Sequence, residues 1–239
     1  MKKHCLVASM VVCFAGMAQA SDWGYEGEHG PEHWGHVSKT CEMGKNQSPI
    51  DVTRALEADL KPLDIHYSGK VTTLTNNGHT LQASVSGDNH MVLDGIDFEL
   101  KQFHFHTPSE NLIKGKQYPL EAHFVHADNA GNLAVLAVMF EVGQQNEQLA
   151  KLASNLPTSG KSVTLTDEFD VNLLLPKLNK YYRFNGSLTT PPCSEGVRWL
   201  VLKHAQTLSQ QQENVLNSMM GNNNRPVQAH NARVVLKND

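Results

Sequence analysis

Gln102-Phe103-His104-Phe105-His106 is the stretch on which the reading of the chain turns. Successive side chains of a strand point to opposite faces, so His104 and His106 share one face and Phe103 and Phe105 the other. The phenylalanines predict a face laid against a core. The imidazoles are two neutral nitrogen donors on rigid backbone, the kind of ligand that zinc takes. Glu121-Ala122-His123, in the next strand-like stretch, offers a third. Three imidazoles on adjacent strands suit a tetrahedral ion with one position left for water. Gln102 shares a face with His104, and Glu121 with His123. Both can accept the second ring N–H of a ligating histidine and so fix its tautomer. A buried Glu121 without such a partner would be costly.

Outward from this stretch, the pattern from Asp64 to Val142 is one of strands and short turns. Val71 to Thr75 and Thr80 to Val85 are split by Asn76-Asn77-Gly78-His79. Met91 to Leu93 and Ile96 to Phe105 flank Asp94-Gly95, a hairpin signal. Leu120 to His126 and Leu133 to Val142 flank Asp128-Asn129-Ala130-Gly131. Such short connections imply antiparallel pairing. Leu133 to Phe140 is apolar almost throughout, which predicts a central strand buried on both faces. Val197 to Leu202 reads as one more strand.

Helices are few. Leu149, Leu152, Ala153 and Leu156 form an amphipathic stripe. Ser209 with Gln212 reads as a capping box ahead of Val215, Leu216, Met219 and Met220. Residues 21–62 are irregular and rich in turn residues and aromatics. The expected fold class is mainly β (α+β): a single domain around a large, mostly antiparallel twisted sheet with a few peripheral helices.

The totals agree. The chain has 239 residues, 40% hydrophobic and 18% charged, an ordinary globular composition that suffices for one domain with a substantial core. A net charge of -4 gives no sign of nucleic acid as a partner. At the N-terminus, Lys2 and Lys3 precede an apolar run, Leu6 to Met17, too short to span a bilayer. Ala18-Gln19-Ala20 is a cleavage signal, so residues 1–20 read as a signal peptide and residues 21–239 as the mature domain. The product is expected to be exported, to the periplasm or beyond, with no membrane anchor. Of four cysteines, Cys5 and Cys13 leave with the leader; Cys41 and Cys193 in an oxidising compartment most simply pair.

Other features carry less by themselves. His126 falls on the face opposite His123 and reads as structural. His29, His33, His36, His66, His90, His204 and His230 lack ligand spacing along the chain. His79 in a turn reads as an exposed histidine, although a solvated imidazole there can carry protons. Gly186-Ser187-Leu188-Thr189-Thr190-Pro191-Pro192 is a stiff, hydroxyl-bearing loop. His104-x-His106-x3-Glu110 also fits the first half of a cupin motif, in which Glu110 would be a fourth ligand, often to iron. The second half of that motif is absent. A cupin-like metal oxygenase or isomerase is the alternative from this stretch alone.

Taken together, the motifs resemble the alpha-class carbonic anhydrases of the secreted bacterial type. The resemblance spans the mature chain: Trp23-Gly24-Tyr25, Gly30-Pro31-Glu32-His33-Trp34, Asn46-Gln47-Ser48-Pro49-Ile50-Asp51, Asn77-Gly78-His79, the histidine stretch itself, Pro108-Ser109-Glu110, Glu121-Ala122-His123, the loop ending in Cys193, Arg225-Pro226-Val227-Gln228 and Asn231-Ala232-Arg233. It implies reversible hydration of carbon dioxide to bicarbonate. His104, His106 and His123 would bind zinc, and Thr189 would accept a hydrogen bond from the attacking hydroxide while donating its own to Glu110. Thr190 would hold substrate and His79 would shuttle protons, against the plainer reading of that turn. Tyr25, Asn77 and Gln82 would form a polar wall; members of this class often carry Asn where Gln82 stands. Val125, Val135, Leu188, Val197 and Trp199 would form the apolar pocket for carbon dioxide. Cys41 and Cys193 match the class's disulfide positions. Pro108-Ser109-Glu110 follows the histidine strand directly, where animal members carry an insertion, and in bacterial relatives this goes with a homodimer. Some members of the class have lost a zinc ligand and act as binding modules. The three histidines and the Thr189–Glu110 pair, all present here, argue against that.

Overall fold

The computed structural model describes residues 23–165 and 169–238; the leader read at residues 1–20 lies outside them. A sheet of 13 strands runs through the described residues. Its spatial order is Lys161–Thr164, Lys70–Asn76, Leu81–Ser86, Ile96–His106, Leu120–Ala127, Leu133–Val142, Glu195–Leu202, Tyr181–Ser187, Val235–Lys237 and Ala55–Glu57. Asp64–Tyr67, Asn89–Leu93 and Gln206–Leu208 attach beside this path. The strands from Lys70 to Val142 pair antiparallel, as their short turns require. At Asp94-Gly95 both residues have positive φ, 55° and 77°, the geometry a two-residue hairpin needs to match strand twist.

The sheet is not antiparallel throughout. Leu133–Val142 runs parallel to Glu195–Leu202 and to Gln206–Leu208, and Val235–Lys237 runs parallel to Ala55–Glu57. The chain leaves the central strand and returns only after the helix Glu147–Ala153 and the strands Lys161–Thr164 and Tyr181–Ser187. That long excursion is the crossover a parallel pair demands.

The central strand is buried on both faces, as its apolar run predicts. Ala134, Leu136, Val138 and Phe140 pack into one cluster with Phe103, Phe105 and Phe124. Val135, Ala137 and Met139 pack into another on the opposite face, with Val197, Trp199 and Val201. The histidine strand carries a bulge that the sequence does not announce. Leu100 pairs with His126 and Gln102 with Val125, so Lys101 is the extra residue. The bulge re-phases the strand: Phe98 and Leu100 before it, and Phe103 and Phe105 after it, all reach the same core. His104 and His106 consequently face away from that core.

Both expected helices form. Glu147–Ala153 is capped by Asn146, and Gln210–Met220 opens with the Ser209–Gln212 capping box. Leu216, Met219 and Met220 pack on the core as expected, whereas Val215 stands half-buried outside that cluster. Leu156 also packs there, although the first helix ends before it. No helix among the described residues is long and apolar enough to cross a membrane. His126 is fully buried against the Tyr67 hydroxyl at 2.6 Å, and burial lowers its pKa to about 4, in keeping with a structural role.

Candidate metal centre

Sheet register assembles the site. Gln82, His104 and His123 are lateral neighbours on three strands, with Ala137 next in the row. One step along the same face lies a second row, Gln102, Val125, Val135, Trp199 and Phe184. Side chains two residues apart along a strand share a face. The row that holds the imidazoles thus sits directly beside one that, past Gln102, is apolar and includes the Trp199 indole. His123 and Trp199 join the two, their ring centroids 4.9 Å apart. Val135, Val197 and Trp199 are buried in one cluster, with Val125 and Leu188 packed against it.

His104, His106 and His123 each offer a nitrogen, and these atoms lie within 4.8 Å of one another. The backing of each ring decides which nitrogen is left. His104 Nδ1 lies 2.9 Å from Gln102 Oε1, and His106 Nδ1 lies 2.7 Å from the carbonyl oxygen of Asn223. His123 is turned the other way: its Nε2 lies 2.9 Å from Glu121 Oε1, close enough for an ion pair but outside hydrogen-bond geometry. The free nitrogens are therefore Nε2 of His104 and His106 and Nδ1 of His123. Burial first, then the mutual repulsion of the rings, holds His104 and His123 well below the ordinary histidine pKa. Burial also lowers that of His106. All three are neutral donors at physiological pH.

The acceptors are themselves held. Glu121 Oε2 receives the backbone N–H groups of Glu110 at 2.7 Å and Asn111 at 2.9 Å, and Asn111 Nδ2 donates to Oε1 at 2.8 Å. Asn223 is fully buried, and its side chain donates to the carbonyls of His79 and Phe105 and accepts from Thr107 N. The sequence reading found Gln102 and Glu121 but missed Asn223, whose role rests on a main-chain oxygen that any residue possesses.

These residues fit a divalent cation. His106 Nε2 and Glu110 Oε2 are buried with no hydrogen-bond partner, 3.5 Å apart. Buried polar atoms are ordinarily satisfied, so a pair of orphans facing one point marks a place for a ligand. Two carboxylates, Glu110 and Glu121, are fully buried, Arg225 lies beside Glu110 only, and a cation offsets the imbalance. Burial pushes the Glu110 pKa well up, while the Arg225 backbone N–H at 2.8 Å and the Thr189 hydroxyl pull it down. A nearby dication favours the ionised form. Glu110 Oε2 lies 3.5 Å from His106 Nε2 and 3.9 Å from His123 Nδ1, while the group whose donors all converge is the three histidines alone.

The remaining predicted residues line one small cavity of about 150 Å³: Tyr25, Asn77, His79, Gln82 and Thr190, together with Trp23, Gln102, His104 and His106. That is below the ordinary range for drug-sized ligands, roughly 300–1,000 Å³, and matches a substrate of a few atoms. His79 does not stand free in its turn. Its ring stacks on Trp23 at 3.9 Å and 8°, and burial lowers its pKa. Asn77 faces the cavity, but its Oδ1 is committed to the turn, accepting from His79 N and Thr80 N at 2.9 Å each. Burial, then the charge of Glu110, holds the Tyr25 phenol protonated. Cys41 and Cys193 form a disulfide beside Trp34, with Trp23 and Tyr25 packed against it.

The chain is similar to known proteins along most of its length. The family model described as eukaryotic-type carbonic anhydrase matches residues 29–239. A carbonic anhydrase of Pectobacterium atrosepticum is 45% identical over 98% of this chain and 98% of its own length. One from Klebsiella pneumoniae is 48% identical over 91% and 92%. The solved alpha-carbonic anhydrase of Photobacterium profundum superposes with a TM-score of 0.88 at 56% identity, over 90% of this chain and 99% of that one. With a family model matching nearly its whole length and relatives alike from end to end, the chain belongs to the alpha carbonic anhydrase family of enzymes.

Proposed function

We propose that this enzyme catalyses the zinc-dependent, reversible hydration of carbon dioxide, with His104, His106 and His123 as the zinc ligands. The observation that carries the reading is the convergence of three neutral imidazole nitrogens beside an apolar cluster of the sheet, with His104 and His106 opening on a cavity of about 150 Å³. Zinc held by neutral donors makes hydroxide available from water near neutral pH, a property for which carbonic anhydrase is the standing example.

The chain's own residues do the rest. Glu110 accepts the hydrogen bond that the Thr189 hydroxyl donates, which leaves the Thr189 oxygen free only to accept. Any O–H group before it must then donate, so hydroxide is oriented with its lone pair free. Val125, Val135, Leu188, Val197 and Trp199 offer carbon dioxide an apolar surface for which water does not compete. Thr190 holds bicarbonate by its hydroxyl. Tyr25, Asn77 and Gln82 order water between the site and His79, which carries the proton to solvent. Removal of residues 1–20 on export belongs to the same reading and supplies the oxidising compartment that the disulfide needs.

Metal analysis with stopped-flow hydration on the mature protein tests this. One zinc per chain is expected, with activity lost on chelation and regained with zinc. Zinc-free protein, or iron with oxygen consumption, overturns it. His79→Ala is expected to keep its zinc and lose turnover by about 10²-fold in dilute buffer, the lower end of what a positioned proton-transfer group contributes. Added imidazole should restore part of the rate; absence of rescue would remove the shuttle role.

A further inference from the structure

The sheet brings together a second pair of imidazoles, far from the first site. His66 and His90 are register partners on Asp64–Tyr67 and Asn89–Leu93. Their ring centroids lie 5.0 Å apart, inclined by 24°. In the trio of the first site the centroids are separated by 4.5, 5.1 and 5.4 Å, so the surface rings lie as close together, although they are stacked where the trio's are inclined and convergent. Each ring is also backed by a carboxylate. His66 Nε2 lies 2.8 Å from Asp64 Oδ1, and His90 Nδ1 lies 2.8 Å from Asp88 Oδ1. A carboxylate on one ring nitrogen places the proton there and leaves the other as a lone-pair donor of raised basicity. The donors are then His66 Nδ1 and His90 Nε2.

The next strand sets Glu99 opposite His90, so that His66, His90 and Glu99 form one lateral row on the solvent face. Glu99 is paired to Lys101 at 2.5 Å, an exposed contact that a dication can displace. Five residues separate Glu99 from His104 along their strand, about 17 Å at strand rise. The two sites are therefore distinct.

We propose that His66 and His90, with Glu99 as third ligand, bind a divalent transition ion of the nickel, copper and zinc group. Imidazole suits these ions, and the flanking Asp64 and Asp88 favour a cation. The rings must turn from stacked to convergent, which His66, more than half exposed, is free to do. An ion there clips the short strand Asp64–Tyr67, which pairs only with Asn89–Leu93, onto the body of the sheet.

The test is titration of the zinc-loaded mature protein with Ni2+, followed by calorimetry and by metal analysis. One Ni2+ per chain is expected beyond a retained zinc, with a rise in Tm. His66→Ala and His90→Ala should each weaken Ni2+ binding at least tenfold, and Glu99→Gln severalfold, with hydration unchanged. Because His66 is the more exposed, its variant keeps the test sound if His90→Ala misfolds. Ni2+ that only displaces zinc, no second ion at all, or a second ion held equally by the His66→Ala variant, as at the His33–His36 pair with centroids 6.0 Å apart, overturns the proposal.

Discussion

Replacing His106 with alanine is expected to abolish zinc binding and hydration together while leaving the fold intact. His106 is fully buried and its free nitrogen makes no hydrogen bond to the protein, which a bound ion would explain. Its other nitrogen is fixed by the Asn223 carbonyl at 2.7 Å, which leaves Nε2 little freedom to find another role. Loss of one of three donors leaves an incomplete tetrahedral set. Affinity should therefore drop by more than the roughly 10–100-fold that loss of an outer hydrogen-bond partner costs. Gln102→Ala, which removes the acceptor behind His104, gives that smaller drop and serves as the yardstick. The core side of the strand, Phe103 and Phe105, is untouched by the change, so the circular dichroism spectrum should be unaltered. A variant that kept both its zinc and its activity would remove His106 from the ligand set and with it the proposed mechanism.

The parts of this site that could be read in the sequence are those governed by local periodicity. Alternation in Gln102-Phe103-His104-Phe105-His106 and in Glu121-Ala122-His123 is enough to put the imidazoles and their acceptors Gln102 and Glu121 on the proper faces. The doubly buried central strand is legible for the same reason. What stayed hidden depends on register and on main-chain atoms. Nothing in Lys101 marks it as the bulge that keeps both halves of its strand on the core. Asn223 supports His106 through a carbonyl, and Arg225 supports Glu110 through a backbone N–H, neither of which a side chain advertises. The parallel pairing at Leu133–Val142 follows from where a distant segment returns. The stacking of Trp23 on His79 joins the irregular N-terminal segment to a turn, and no periodicity relates the two. Tyr25, Thr190 and the apolar pocket were reached through family resemblance alone; the structure sets Tyr25 and Thr190 on one cavity and gathers the apolar residues in a cluster that touches His123 through Trp199.

Breaking the Cys41–Cys193 bridge is expected to lower stability by about 5 kcal/mol on chain-entropy grounds, since it closes a loop of 152 residues. For a chain of this size that corresponds to a fall in Tm of roughly 10–20 °C. The effect should reach the active site before the protein unfolds. Cys193 N donates to the carbonyl of Thr190 at 2.9 Å, and Gln47 Nε2 donates to the carbonyl of Cys193 at 3.1 Å. On the other side of the bridge, the Arg225 guanidinium donates to the carbonyls of Cys41 and Ser48 and to Gln47 Oε1, while its backbone N–H holds Glu110. The bridge thus clamps both the loop that carries Thr189 and Thr190 and the residue that positions the Thr189 acceptor. The three histidines proposed as zinc ligands stand on paired strands and are held by the sheet. Reduced protein, or Cys41→Ala/Cys193→Ala, should accordingly retain zinc yet hydrate carbon dioxide more slowly at temperatures well below its Tm. An unchanged Tm with two titratable thiols would show that the loop is held by its packing and hydrogen bonds alone. A reduced protein that lost zinc and activity in the same proportion would place the support of the histidines, and not the threonine loop, under the control of the bridge.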